Sequence, residues 1–119
     1  MIENLNGIHE TVKYKENSNV KLFINAETED YPIHWHTPME IIMPLEGGYT
    51  TQIGDDLVHL NESDIIFIAS GVKHRLIAPD TGKRLILQIE WSAVSKNKGI
   101  KFHTYPYSTC YNSNLRNFR

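Results

Sequence analysis

The sequence predicts an all-β single domain, a sandwich or barrel of short strands, and three observations carry the prediction. Several stretches alternate at period two, turn-forming clusters recur between them, and no segment before residue 92 sustains the 3.6-residue apolar period of a helix. At 119 residues the chain can bury one modest core but not two. The barrel is expected over residues 8–92, and residues 93–119 are expected as a basic C-terminal tail, partly disordered or the remnant of a lost domain.

The first strand is read where Val20, Leu22 and Ile24 alternate with Lys21, Phe23 and Asn25. Two tighter runs come next, Glu40-Ile41-Ile42-Met43-Pro44-Leu45 and Asp64-Ile65-Ile66-Phe67-Ile68-Ala69. Both are too short for helices and read as strands covered on both faces. Leu85, Leu87, Ile89 and Trp91 alternate with Ile86, Gln88 and Glu90 in the last strand. The connections are chemically marked by Thr37-Pro38, Gly47-Gly48, Gly54-Asp55-Asp56, Asn61-Glu62-Ser63-Asp64, Ser70-Gly71 and Pro79-Asp80-Thr81-Gly82. After Trp91 the pattern stops, and no secondary structure is assigned to residues 92–119.

Charge and cysteine usage narrow the functions. Residues 1–95 hold seven basic against fourteen acidic side chains, a balance of −7, whereas the last 24 residues hold five basic and no acidic ones. So acidic a body repels a phosphate backbone, and no direct nucleic-acid binding by this chain is expected. The thinly spread charges of the tail read as a solvated segment. No apolar run approaches the ~18 residues of a membrane-spanning helix, and the first residues show neither a basic n-region nor an apolar h-region. A cytoplasmic protein without membrane association is the expectation. Cys110 is the single cysteine, so any metal must be held by nitrogen and oxygen.

The chemistry concentrates at four residues. In His34-Trp35-His36 two imidazoles share one strand face, since side chains at i and i+2 project together. Glu40 would lie about 13 Å beyond His36 on a straight strand, at ~3.3 Å per residue. Pro38 lets the chain bend at 37–39 and enter a new strand near Glu40, turning the carboxylate toward the histidines. His74 comes after the turn at Ser70-Gly71 and completes a set of three imidazoles and one carboxylate. Such donors suit Zn²⁺, Ni²⁺, Mn²⁺, Fe²⁺ or Co²⁺, a divalent transition metal of unspecified identity. The same polar groups also suit an effector pocket without metal. Trp35 points to the opposite face and reads as packing, while His9, His59 and His103 are assigned outside the pocket. Tyr49, Gln52, Gln88 and Glu90 are the candidate effector contacts. Ser70 and Cys110 have no nucleophile motif around them, and no glycine-rich phosphate loop is present.

His34-x-His36-x-x-x-Glu40, with Gly47 after six intervening residues, resembles the first motif of the cupin superfamily. Ser63, succeeded after five residues by Ala69-x-Gly71-x-x-His74, resembles the second. The four ligand positions and Gly47 and Gly71 match. Thr28 stands where the first motif opens with Gly, Ser63 and Ala69 replace the Gly and Pro of the second, and Ala78 replaces its final Asn. The resemblance covers residues 20–91 and implies a jelly-roll barrel, the double-stranded β-helix.

A narrower resemblance is to the amino-terminal sensor barrel of AraC-type transcription regulators. It rests on Tyr31-Pro32-Ile33-His34-Trp35-His36, Met39-Glu40-Ile41-Ile42, Asp64-Ile65-Ile66-Phe67-Ile68 before Gly71-x-x-His74-Arg75, and Leu87-Gln88-Ile89-Glu90-Trp91. That resemblance implies a barrel that binds a small effector, often a sugar, and dimerises, while a further segment carries two helix-turn-helix units. No amphipathic recognition helix is read in 92–119, so the DNA-binding part is expected to be lacking. The functional expectation is a metal-containing, small-molecule-binding sensor barrel that forms a homodimer, because several strands are apolar on both faces. The alternative is a small metal-dependent enzyme, an isomerase, epimerase or dioxygenase.

Overall fold

The computed structural model describes residues 4–90 and 109–111. Its strands are β1 (Leu5–Asn6), β2 (His9–Glu10), β3 (Val20–Asn25), β4 (Tyr31–His34), β5 (Met39–Glu46), β6 (Tyr49–Ile53), β7 (Asp56–Leu60), β8 (Ile65–Ile68), β9 (His74–Ile77), β10 (Lys83–Ile89) and β11 (Thr109–Tyr111). No helix is found among the described residues. A five-stranded sheet in the order β11-β8-β5-β10-β3 faces a four-stranded one in the order β4-β9-β6-β7, and β1 and β2 form a separate hairpin. All strand pairs are antiparallel, and the two sheets pack as a jelly-roll barrel. Trp91 and most of residues 93–119 lie outside the described residues. Within that tail, β11 pairs its backbone with Ile65–Phe67 at the edge of β8.

Each strand gives alternate residues to the interior. Ile42, Ile66, Ile68 and Ile86 from the larger sheet meet Tyr49, Leu60 and Leu76 from the smaller, all at most 2% exposed. Burying such side chains contributes about 1.5–3 kcal/mol apiece. In the two apolar runs read as covered on both faces, fully buried residues alternate with half-buried ones. On β3 the apolar members of the alternation face out: Val20, Leu22 and Ile24 are 47–61% exposed, while Asn25 is buried and Phe23 half-buried.

Polar groups taken inside find partners. The buried Arg84 guanidinium donates to Asn25 Oδ1 (2.6 Å) and the Glu27 carbonyl (3.0 Å), and stacks 4.3 Å from the Tyr49 ring centroid. These bonds tie β10 to the end of β3 and offset the cost of burying a charge.

Ser63 adopts φ +70° in the turn before β8. This left-handed conformation costs an L-residue about 1–2 kcal/mol, which explains why glycine suits the position. The turn is closed by Asp64 Oδ2, which accepts from the Asn61 N–H at 2.8 Å. Ser63→Gly is therefore expected to stabilise the barrel by about 1 kcal/mol, net of the greater freedom of the unfolded chain. Urea unfolding midpoints check this, and an unchanged or lower midpoint would count against it.

Candidate metal centre

The chain delivers three imidazoles and a carboxylate to one point through a bend and two strand ends. His34 closes β4, His36 lies two residues on, and the chain turns at Thr37–Pro38 so that Glu40 is already the second residue of β5. His74 opens β9 and pairs directly with His34 across the smaller sheet. The Gly71 N–H donates to the His36 carbonyl at 2.9 Å, fixing the turn before His74 to the segment that carries the other two histidines. All four side chains are buried, at 1–3% exposure.

The orientation of the rings is set by backbone acceptors. Nδ1 of His34 lies 2.7 Å from the Pro32 carbonyl, Nδ1 of His36 2.9 Å from that of Pro38, and Nδ1 of His74 2.8 Å from that of Val72. A carbonyl only accepts, so each Nδ1 carries its proton and each Nε2 is left to bind in the neutral ring. The ligand atoms of the three histidines lie within 4.8 Å of one another. Glu40 Oε2 stands 3.3 Å from His74 Nε2 and 3.6 Å from His36 Nε2, while its other oxygen accepts from Gln88 Nε2 at 2.9 Å. His36 Nε2, His74 Nε2 and Glu40 Oε2 are buried without a hydrogen-bond partner. Buried polar atoms rarely stay unpaired, and these converge with their second nitrogens or oxygen already engaged. Donors of one ion, each at about 2.1 Å, are spaced in this range. The residues present therefore fit a divalent transition metal held by His34, His36, His74 and Glu40.

Electrostatics acts differently on the individual groups. Burial, with the neighbouring His74 adding to it, lowers the His34 pKa to about 4 and keeps that ring neutral. For His36 burial also disfavours charge, but attraction to Glu40 outweighs it and leaves the pKa raised. Burial would raise the Glu40 carboxyl, yet His36 and His74 hold it far below the usual carboxylate range. In the absence of metal, Glu40 favours a proton on His36. Metal must expel that proton, so below the raised His36 pKa affinity should fall about tenfold per pH unit. Competition with a chelating dye across the range from pH 5 to pH 8 measures this, and an affinity that does not fall on acidification would contradict it.

A cavity of about 290 Å³ opens beside His34 and Glu40, walled by Glu10, Lys21, Phe23, Asn25, Tyr31 and Gln88 among others. Its wall is polar and ordered: Asn25 Nδ2 donates to the Tyr31 hydroxyl at 3.1 Å. Of the four effector contacts expected from sequence, the structure places Gln88 in this wall and the other three elsewhere. Tyr49 is a core ring beneath Arg84, since its strand parity points it between the sheets. Gln52 donates to the Gly54 carbonyl at the β6–β7 turn. Glu90 lies past the end of β10 and raises the pKa of Tyr14, whose burial is the larger cause. Trp35 faces away from the metal donors and stacks on His9, centroids 4.2 Å apart. His59 is exposed and bonds to Thr50. Glu10, Lys21, Asn25 and Tyr31 were not among the site residues expected from the sequence, because none stands at a ligand position of a spaced motif.

Residues 22–89 match the family model described as a cupin domain. An uncharacterised HTH-type transcriptional regulator, YdeC of Bacillus subtilis, is 34% identical over 55 residues, 45% of this chain and 19% of that protein. The chain thus aligns with about a fifth of the length of that relative. Among solved structures, a cupin-2 domain-containing protein from Shewanella frigidimarina superposes with a TM-score of 0.56 at 20% identity, over 63% of this chain and 74% of its own. A putative ethanolamine utilization protein Q from Salmonella typhimurium gives 0.55 at 18% identity, over 61% and 59%. Identities this low speak for the fold.

Proposed function

Because the chain belongs to the cupin domain family, we propose that it is a metal-containing barrel that binds a small molecule and serves as the sensor part of an AraC-type regulator. The observation that carries the reading is the junction of the metal donors with the 290 Å³ cavity: a molecule in that cavity would lie beside His34 and Glu40, two of the residues that would hold the ion. The ion would offer a Lewis-acidic anchor for an oxygen of the bound molecule. Asn25, Tyr31, Gln88 and Lys21 surround that space with hydrogen-bonding groups of the kind a hydroxylated, carbohydrate-like effector engages. The sequence similarity to a regulator described as HTH-type supports the regulatory side of the reading.

The partner we propose for the outer sheet face is a second copy of the chain. Among the described residues β3 is the last strand of its sheet and exposes Val20, Leu22 and Ile24, and an edge strand beside an apolar stripe suits isologous pairing across a two-fold axis. Light scattering at micromolar concentration should give twice the chain mass, and a monomer mass would refute it.

Calorimetric titration of the metal-loaded protein with a panel of aldoses, polyols and hydroxy acids tests the sensor reading. Saturable binding with the ligand recovered unchanged is expected. Conversion of the ligand would replace the sensor by the alternative, a small metal-dependent isomerase, epimerase or dioxygenase. Absence of binding across the panel would count against the carbohydrate-like effector.

A further inference from the structure

The hairpin of β1 and β2 precedes the barrel and brings a second carboxylate to the metal donors. Glu10 Oε1 stands 3.6 Å from His34 Nε2, the ligand atom of that ring, and both side chains are largely buried, at 16% and 2% exposure. His34 donates its Nδ1 proton to Pro32, so Nε2 presents a lone pair to a carboxylate oxygen. Two electron-rich atoms in a poorly solvated site repel unless a proton or a metal ion lies between them. Glu40 Oε2 faces the Nε2 atoms of His36 and His74 in the same way, at 3.6 and 3.3 Å. Glu40 thus serves two of the histidines, and Glu10 stands toward the third.

The placement of Glu10 is built by the backbone. Its N–H donates to the Trp35 carbonyl at 2.9 Å, and the Trp35 N–H donates to the Ile8 carbonyl at 2.8 Å. These bonds set β2 beside the segment that joins His34 to His36, in a parallel bridge of His9 with Trp35. Alternation then decides the rest: His9 stacks outward on the Trp35 ring, and Glu10 turns inward toward the donor atoms.

We propose that Glu10 is a fifth protein donor to the metal, binding through its carboxylate beside His34. The inference rests on a metal held by His34, His36, His74 and Glu40, and extends that site by one ligand. Two carboxylates would balance the charge of a divalent ion and shift preference toward harder ions such as Mn²⁺ and Fe²⁺. With three imidazoles they leave one position of an octahedron for a bound molecule.

The test compares wild type with Glu10→Gln and Glu10→Ala. Mn²⁺ binding is monitored by the electron paramagnetic resonance of the free ion, and the Co²⁺-loaded proteins by visible d–d absorption. Both variants should bind Mn²⁺ at least about tenfold more weakly than wild type. The Co²⁺ bands should intensify as the coordination number falls, a change that loosening of the hairpin alone would not give at full occupancy. Glu10→Gln keeps shape and decides the matter should Glu10→Ala fail to fold. Affinities within twofold and an unchanged Co²⁺ spectrum in a metal-binding wild type would overturn the role of Glu10 and leave the metal site standing. A wild type that binds neither ion would overturn both.

Discussion

Zinc added to metal-free protein should raise its melting temperature by on the order of 20 °C, and His34→Ala with His36→Ala should abolish the rise. An ion that binds only the folded chain stabilises it by RT ln(1 + [L]/Kd), about 4 kcal/mol at a thousandfold excess over Kd. For a folded body of this size each kcal/mol moves the midpoint by about 4–8 °C. The double substitution removes two of the three imidazoles whose Nε2 atoms converge, and with them most of the affinity for the ion. Differential scanning calorimetry with and without Zn²⁺ measures both effects. An equal rise in the double variant would place the ion elsewhere.

Gly82→Ala should be among the most destabilising small substitutions in the barrel, by on the order of 2–4 kcal/mol. Gly82 has φ +115°, a region that side chains avoid, and a Cβ there would run into the Glu46 carbonyl of the neighbouring strand. The approach is forced because β10 shifts register against β5 between Lys83 and Arg84, immediately beyond this glycine. Gly54, at φ +59° in the β6–β7 turn, has nothing within 4 Å of its would-be Cβ. Gly54→Ala should therefore lose only about 1 kcal/mol, the backbone penalty alone. Urea unfolding of the two variants side by side gives the comparison, and similar small losses would show that β5 and β10 can separate without cost.

What could be read from the sequence was what short-range geometry dictates. The i, i+2 spacing of His34 and His36, the bend at Pro38 and the turn before His74 depend on local backbone preferences, and these residues meet as that geometry requires. Period two marked β3 and β10, and short apolar runs marked β5 and β8, but neither signal assigned their faces. Val20, Leu22 and Ile24 are the apolar half of the alternation in β3, yet they face out. Asn25, Arg84 and Gln88 go inside where Tyr31, Glu27 and Glu40 satisfy their polar atoms, the last two from distant parts of the sequence. Tyr49 shows the same limit, since its ring fills the core beneath an arginine that no local pattern announces. Glu10 was invisible for a further reason: a two-residue strand has no period, and only the bridge to Trp35 brings it to the site.

At the centre of the proposed function stands a metal held by four side chains on β4, β5, β9 and the bend between the first two. The direct measurement is elemental analysis of protein expressed in medium supplemented with Zn, Mn, Fe, Co and Ni, with concentration fixed by amino-acid analysis. The structure leads us to expect close to one transition-metal ion per chain in the wild type and close to none in the variant lacking His34 and His36. A wild type without metal that also takes up none on titration would contradict it.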